Sequence, residues 1–211
     1  VSKGWDYGPM YLPDNVEKGV GELSKYPILG TVRREKDGDI NVFRFDGTGR
    51  VGITTENDTS KVLEIYRGFN YEVSVWVKAI EGGKPQNIDF GVMCYDKDMN
   101  PVMSLCLTSG ASSNSFFQTD ESGEVNSPCK IPGVYYRLTG VEYGILEEIT
   151  SLEETSEPLY LNFENGRPLR FFSNNVRYMA PYITQNRDGG VSDIYVSGIT
   201  VKPLNLFSQY N

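Results

Sequence analysis

Five aromatic residues stand where an alternating strand pattern would ordinarily place polar ones. In Tyr71-Glu-Val-Ser-Val-Trp-Val-Lys-Ala79, the residues Tyr71, Val73, Val75, Val77 and Ala79 share one face of an extended strand. Glu72, Ser74, Trp76 and Lys78 share the other, because strand side chains alternate with period two. Trp76 therefore falls among charged and hydroxyl neighbours. The same alternation sets Tyr135, Tyr160, Phe172 and Tyr195 out of register with the apolar sets Val134/Tyr136/Leu138, Leu159/Leu161/Phe163, Leu169/Phe171 and Ile194/Val196. Arg137 and Asn162 lie on the same outward registers. A ring can stack on the apolar C–H face of a sugar while amide or guanidinium groups bond its hydroxyls. The same rings suit a protein interface equally, since outward aromatic patches mark contact surfaces. For Trp76 the expectation is cover by protein, from the N-terminal segment or a neighbouring subunit, rather than an open ring.

Carboxylates supply weaker chemistry. Asp96-x-Asp98-x-Asn100 alternates oxygen ligands as the start of a calcium loop does. Pro101 then replaces the glycine such a loop needs, and Leu107 stands where a bidentate glutamate belongs. A hairpin with Asx-type turn bonds is the expectation. Glu147, Glu148, Glu153, Glu154 and Glu157 read as a solvated segment. Glycoside hydrolysis needs two carboxyl groups whose surroundings push their pKa values apart, and a solvated run does not do that. Gly47-Thr-Gly49 with Gly52 lacks the Gly-Lys-Ser/Thr of a phosphate loop and reads as turn glycines.

The chain contains no histidine. Ser-His-Asp and Cys-His nucleophilic machinery is thereby excluded, along with histidine-bearing zinc sites. Cys94, Cys106 and Cys129 are odd in number and form no CxxC pair, so a disulfide scaffold is not indicated. Cys94 and Cys106 sit in apolar runs and are expected as buried thiols. A net charge of -8 disfavours nucleic acid and anionic membrane surfaces. No apolar run is long enough to insert in a membrane as a helix.

The elements that must position these residues are strands. Gly, Tyr, Phe, Ser, Thr and Asn are plentiful, and long Ala/Leu/Lys/Glu blocks are missing. Residues 1–38 are turn-rich and lack clean periodicity, and read as an N-terminal arm or lead-in with one short strand near Ile28–Val32. From residue 39 to 211 short strand signals recur between turns, which indicates a single β-sandwich. They include Val42–Phe45 ending in the turn signal Asp46-Gly47, then Gly49–Thr55, Val62–Tyr66, Tyr71–Ala79 and Ile88–Tyr95. Val102–Thr108, Val134–Tyr143, Pro158–Phe163, Leu169–Phe172, Val176–Ile183 and Ile194–Lys202 follow. Residues 109–130 read as a long loop in which Phe116-Phe117 is an apolar anchor.

Several of these segments occur together in a known family. Phe45-Asp-Gly47, the strand from Tyr71 to Lys78, Tyr95-Asp-Lys-Asp-Met-Asn-Pro101, Tyr135-Tyr-Arg-Leu-Thr-Gly140 and Ile194-Tyr-Val-Ser-Gly-Ile-Thr-Val201 appear in order. Over roughly residues 40–203 this resembles the jelly-roll carbohydrate-binding modules of glycoside hydrolases. It is more similar still to related modules in bacteriophage tail fibres and other virion appendages. Asn175-Val-Arg-Tyr-Met-Ala-Pro-Tyr182 resembles the penultimate strand of those phage modules.

The resemblance implies an all-β jelly roll without catalytic activity that requires no cofactor. It implies a structural or adhesive part of a virion, working by assembly with other virion proteins, by homo-oligomerisation as a trimer, or by contact with a cell-surface glycan. The alternative is a secreted module that targets a glycan-processing enzyme to its substrate. The resembled jelly rolls also carry a calcium site joining early strands to the last, for which Asp46 and Asp193 are the candidates by position. The ligand-binding candidates on either reading are Trp76, Tyr135, Arg137, Tyr160, Asn162, Phe172 and Tyr195.

Overall fold

The computed structural model describes residues 27–53, 59, 62–66, 69–82, 88–106, 111–118, 131–144, 170–173, 175–185 and 194–205. Thirteen strands and no α-helix form among these residues. They are β1 (Ile28–Asp37), β2 (Ile40–Val51), β3 (Leu63–Glu64), β4 (Phe69–Ala79), β5 (Ile88–Tyr95), β6 (Pro101–Val102) and β7 (Ser104–Cys106). Then come β8 (Ala111–Ser113), β9 (Ser115–Gln118), β10 (Tyr135–Tyr143), β11 (Arg170–Phe171), β12 (Tyr178–Gln185) and β13 (Ile194–Asn205).

Hydrogen bonds join all of them into one curled sheet in the order β6-β5-β12-β2-β13-β4-β10-β11-β7-β8. β1 runs beside β2, β3 beside β12 and β9 beside β5. Every pairing is antiparallel except β10 with β11.

β2 is the splice between two layers. Phe43 and Phe45 pair with Val196 and Ile194 of β13, whereas Gly49 and Val51 pair with Gln185 and Ile183 of β12. Asp46-Gly47 is therefore not the chain reversal expected of it. The strand bends there and continues in the second layer. Gly47 takes a φ of 115°, which residues with a Cβ rarely adopt. Its carbonyl accepts a 2.9 Å hydrogen bond from the buried amide of Gln185, which satisfies a backbone group left unpaired by the bend.

The core lies between the layers. Phe43, Phe45, Val73, Val75, Val77, Leu138 and Val196 pack with Ile88, Phe90, Val92, Met179 and Ile183, all nearly inaccessible. Each such side chain contributes about 1.5–3 kcal/mol by leaving water. Phe116 caps the packing from β9, with its ring centroid 5.6 Å from that of Phe90. It lies directly on Gly140, where an added Cβ would meet Phe116 Cγ at 2.3 Å. Cys94 is a buried thiol 3.9 Å from the hydroxyl of Ser104, which in turn donates to the buried carboxylate of Glu142.

Other departures from the sequence reading are local. β1 extends through the charged run to Asp37, and the division at residue 38 falls in the turn of the β1–β2 hairpin. Salt-linked side chains on β2 hold that run extended, a long-range effect that its own irregular pattern does not announce. The expected loop at 109–130 contains β8 and β9, paired with β7 and β5. The glutamate run, Pro158–Phe163, Cys129 and residues 1–26 lie outside the described residues.

Candidate functional site

The outer face of the β2-β13-β4-β10 layer gathers most of the candidate rings. Strand register builds one row across five strands: Tyr135 opposite Lys78, Lys78 opposite Tyr195, Tyr195 opposite Arg44, and Arg44 opposite Arg33. Directly opposed residues on one face sit close enough to interact side chain to side chain. The Lys78 ammonium accordingly lies 4.8 Å from the Tyr135 ring centroid and 5.2 Å from that of Tyr195. This is cation–π distance on both sides.

The row beside it holds Arg137, Trp76 and Ser197. Trp76 is only 3% exposed, yet it is not part of the core between the layers. The tip of the β1–β2 hairpin is bonded to this same face. Asp37 reaches from the tip to accept hydrogen bonds from the Lys78 ammonium and from the Tyr135 hydroxyl, the latter at 2.7 Å. Asn41 takes the Ser197 hydroxyl on its backbone carbonyl. Lys78, Tyr135 and Ser197, to which the tip is bonded, neighbour Trp76 in the sheet register, and Val42 is fully buried.

Charge fixes the tip in place. Burial alone would raise the pKa of Asp37, but the hydrogen bonds from Lys78 and Tyr135 and the Lys78 charge outweigh it and hold the carboxyl below its usual range. Burial, reinforced by the Asp37 carboxylate, drives the Tyr135 phenol far above its ordinary value, so it stays a donor. At the base of the hairpin, Arg44 bonds Glu35 at 3.1 Å and Asp46 at 3.2 Å, and Arg33 reaches the same two carboxylates. Beyond Trp76, Arg137 donates to Glu72 at 3.2 Å, and the hydroxyls of Ser74 and Thr200 bond each other.

The candidates therefore separate. Trp76, Tyr135, Arg137 and Tyr195 come together, with Trp76 closed off and the other three partly exposed. Phe172 does not belong to this face. It is buried in the core against Tyr71, ring centroids 5.8 Å apart and nearly perpendicular. Its strand, β11, ends at Phe171, so the alternation used to place Phe172 outward stops one residue early. Tyr160, Asn162 and Asp193 lie outside the described residues. Asp46 is held between two guanidinium groups, a cationic setting unlike the cluster of oxygen ligands that calcium requires.

Asp96 forms the turn expected of it. Its carboxylate accepts the backbone N–H groups of Asp98 and Asn100, both at 2.9 Å, and these bonds, Asn100's foremost, lower its pKa. Sequence reading missed Asp37 and gave Lys78 no role. Polar register is a signal for Lys78, but nothing local announces a carboxylate that bonds across 98 residues.

No protein-family model matches the chain, and no curated protein sequence matches it. Similar solved structures include the enzymatically active domain of tailspike protein 4 from bacteriophage CBA120, at 7% identity and a TM-score of 0.46. That match covers 86% of this chain but spans only 20% of the tailspike chain. The CBM22-1 xylan-binding domain of Paenibacillus barcinonensis Xyn10C is similar at 10% identity and a TM-score of 0.43, over 85% and 86% of the two chains. TmCBM61, solved with beta-1,4-galactotriose, is similar at 13% identity and a TM-score of 0.42, over 91% and 97%. The likeness is one of strand layout alone. Among the described residues the chain itself is all-β, its strands curled into two packed layers.

Proposed function

We propose that this chain is a non-catalytic adhesion or structural domain of a phage virion appendage, such as a tail fibre. It acts by contact with other virion proteins, with further copies of itself, or with a host-surface glycan. The observation that best supports this reading is the bonded state of the outer face. Glu35, Asp37, Asp46 and Glu72 are each engaged by a cation, and the central indole is buried. Such a face holds a fixed shape. A hydrolytic site would instead set one carboxyl group apart as an acid. The virion setting is supported by the ordered motifs between residues 40 and 203.

The test uses the intact chain. Light scattering is expected to give an oligomeric mass, and incubation with a broad glycan panel is expected to release no reducing ends. Released reducing ends overturn the non-catalytic reading. A strictly monomeric mass removes self-assembly from it.

A further inference from the structure

Away from that face, a cleft of 590 Å3 opens between the β5–β6 loop, the segment leading into β4 and the turn before β12. Its polar and aromatic lining is Glu64, Tyr66, Asp96, Lys97, Asn175 and Arg177. We propose that this cleft binds a neutral oligosaccharide, with one pyranose ring stacked on Tyr66. The proposal gives the glycan contact of the reading above a site and a ligand class and rests on that part of it, while its protein contacts stand even if the cleft binds nothing.

Tyr66 is the most exposed large apolar side chain among the described residues, at 62%. Its backbone is nevertheless fixed. The Tyr66 N–H donates to the Tyr71 hydroxyl at 2.8 Å, and the Ile65 N–H donates to the Arg177 carbonyl at 3.0 Å. Tyr71 is itself buried and packed edge-on against Phe172. An exposed ring on a backbone already ordered loses little entropy on binding.

The groups around the ring suit hydroxyls. Asn175 is exposed in a turn closed by the Val176 N–H on the Ser173 carbonyl at 3.2 Å. Lys97 projects from the loop that Asp96 organises through its backbone bonds. An amide and an ammonium beside one ring form the arrangement that orients a polar ligand over an apolar floor. One ring within polar walls is a poor protein hot spot, which needs a desolvated apolar centre.

Charge selects the class of sugar. Two carboxylates, Glu64 and Asp96, face two cations, Lys97 and Arg177. Arg177 is committed to Glu64 at 3.2 Å, and Lys97 directly follows Asp96 in the chain, so the two pairs balance. No net positive charge remains for a uronate or sialic acid. The chain as a whole carries -8 and repels anionic glycans.

The experiment is isothermal titration of the intact chain with neutral hexose and pentose oligosaccharides and, in parallel, with oligogalacturonate. Neutral ligands are expected to bind and oligogalacturonate to give no heat. Tyr66→Ala weakens binding about tenfold, the size of a lost stacking contact. Tyr66→Phe retains binding because the face of the ring, not its hydroxyl, makes the contact. Circular dichroism checks that both variants fold. Neutral-sugar binding untouched by Tyr66→Ala overturns the proposal, and so does binding of the acidic ligand alone. Absence of heat with every glycan also overturns it, while the adhesive reading is decided separately by mass. A Tyr66→Ala variant that loses oligomeric mass in a chain that binds no sugar assigns the cleft to protein contact instead.

Discussion

Tyr135 donates a 2.7 Å hydrogen bond to the carboxylate of Asp37, 98 residues earlier in the chain. The same carboxylate takes the ammonium of Lys78, which lies between the rings of Tyr135 and Tyr195. One acidic side chain at a hairpin tip thus fastens the hairpin over the middle of a sheet. Asp37→Asn keeps the shape and removes the charge. Hydrogen bonds to charged groups contribute about 1.5–3 kcal/mol, so a loss of that order is expected in urea unfolding. In a Trp5→Phe background, which leaves Trp76 as the only indole, the variant should also show increased acrylamide quenching. Unchanged quenching would mean that the tip is not what shields Trp76.

Acid should release the same fastening. The folded-state pKa of Asp37 lies below its ordinary value of 3.8, so folding favours the ionised form. Its contribution is fully present above the unfolded-state pKa and is lost as pH falls through the folded-state pKa. Melting temperature should therefore decline below about pH 4. In Asp37→Asn that decline should be shallower. Parallel profiles for the two proteins would assign acid sensitivity to other carboxylates.

Gly140 carries the ring of Phe116. Gly140→Ala introduces a Cβ 2.3 Å from Phe116 Cγ and must displace the ring. Overpacking of this kind costs about 1–3 kcal/mol. The double variant Gly140→Ala with Phe116→Leu should recover part of that loss, because leucine leaves space above residue 140. Strict additivity in denaturant unfolding would show that the two positions do not touch.

Phe172→Ala is expected to cost about 3–5 kcal/mol, as truncation of a buried aromatic residue does. Tyr135→Ala, on the partly exposed outer face, should cost less. If both lose the same amount in thermal and urea unfolding, the assignment of Phe172 to the core is wrong.

Much of the fold is legible in residues 71–79. Their alternation names the buried face, and Val73, Val75 and Val77 are core residues as it requires. The same pattern is silent on whether the other face is open. Polarity marks register, whereas exposure depends on what folds across, and the hairpin tip is fastened to this face by bonds spanning 41 and 98 residues. Phe172 shows where alternation ends: a two-residue strand has too little length to carry a phase. Asp46-Gly47 shows a turn signal that is instead a bend within one strand, because the strands that receive β2 on its two sides come from the far end of the chain. The Tyr66 cleft had one available sign, a large ring closing the strand signal Val62–Tyr66. Its partners Asn175 and Arg177 are distant in sequence, so no spacing rule gathers them.

The splice at β2 also bears on how the chain reaches its native state. β1 and β2 meet locally through Gly38-Asp39, but the opposite edge of β2 is completed by segments containing Gln185 and Ser197. Those residues contact the hairpin across 138 and 156 positions. Pairing at such separations pays its loop-closure entropy before any contact forms, which slows folding. During synthesis, an early hairpin must wait with one edge unpaired until β12 and β13 have left the ribosome. Over that interval the exposed edge is a template for pairing with another nascent chain.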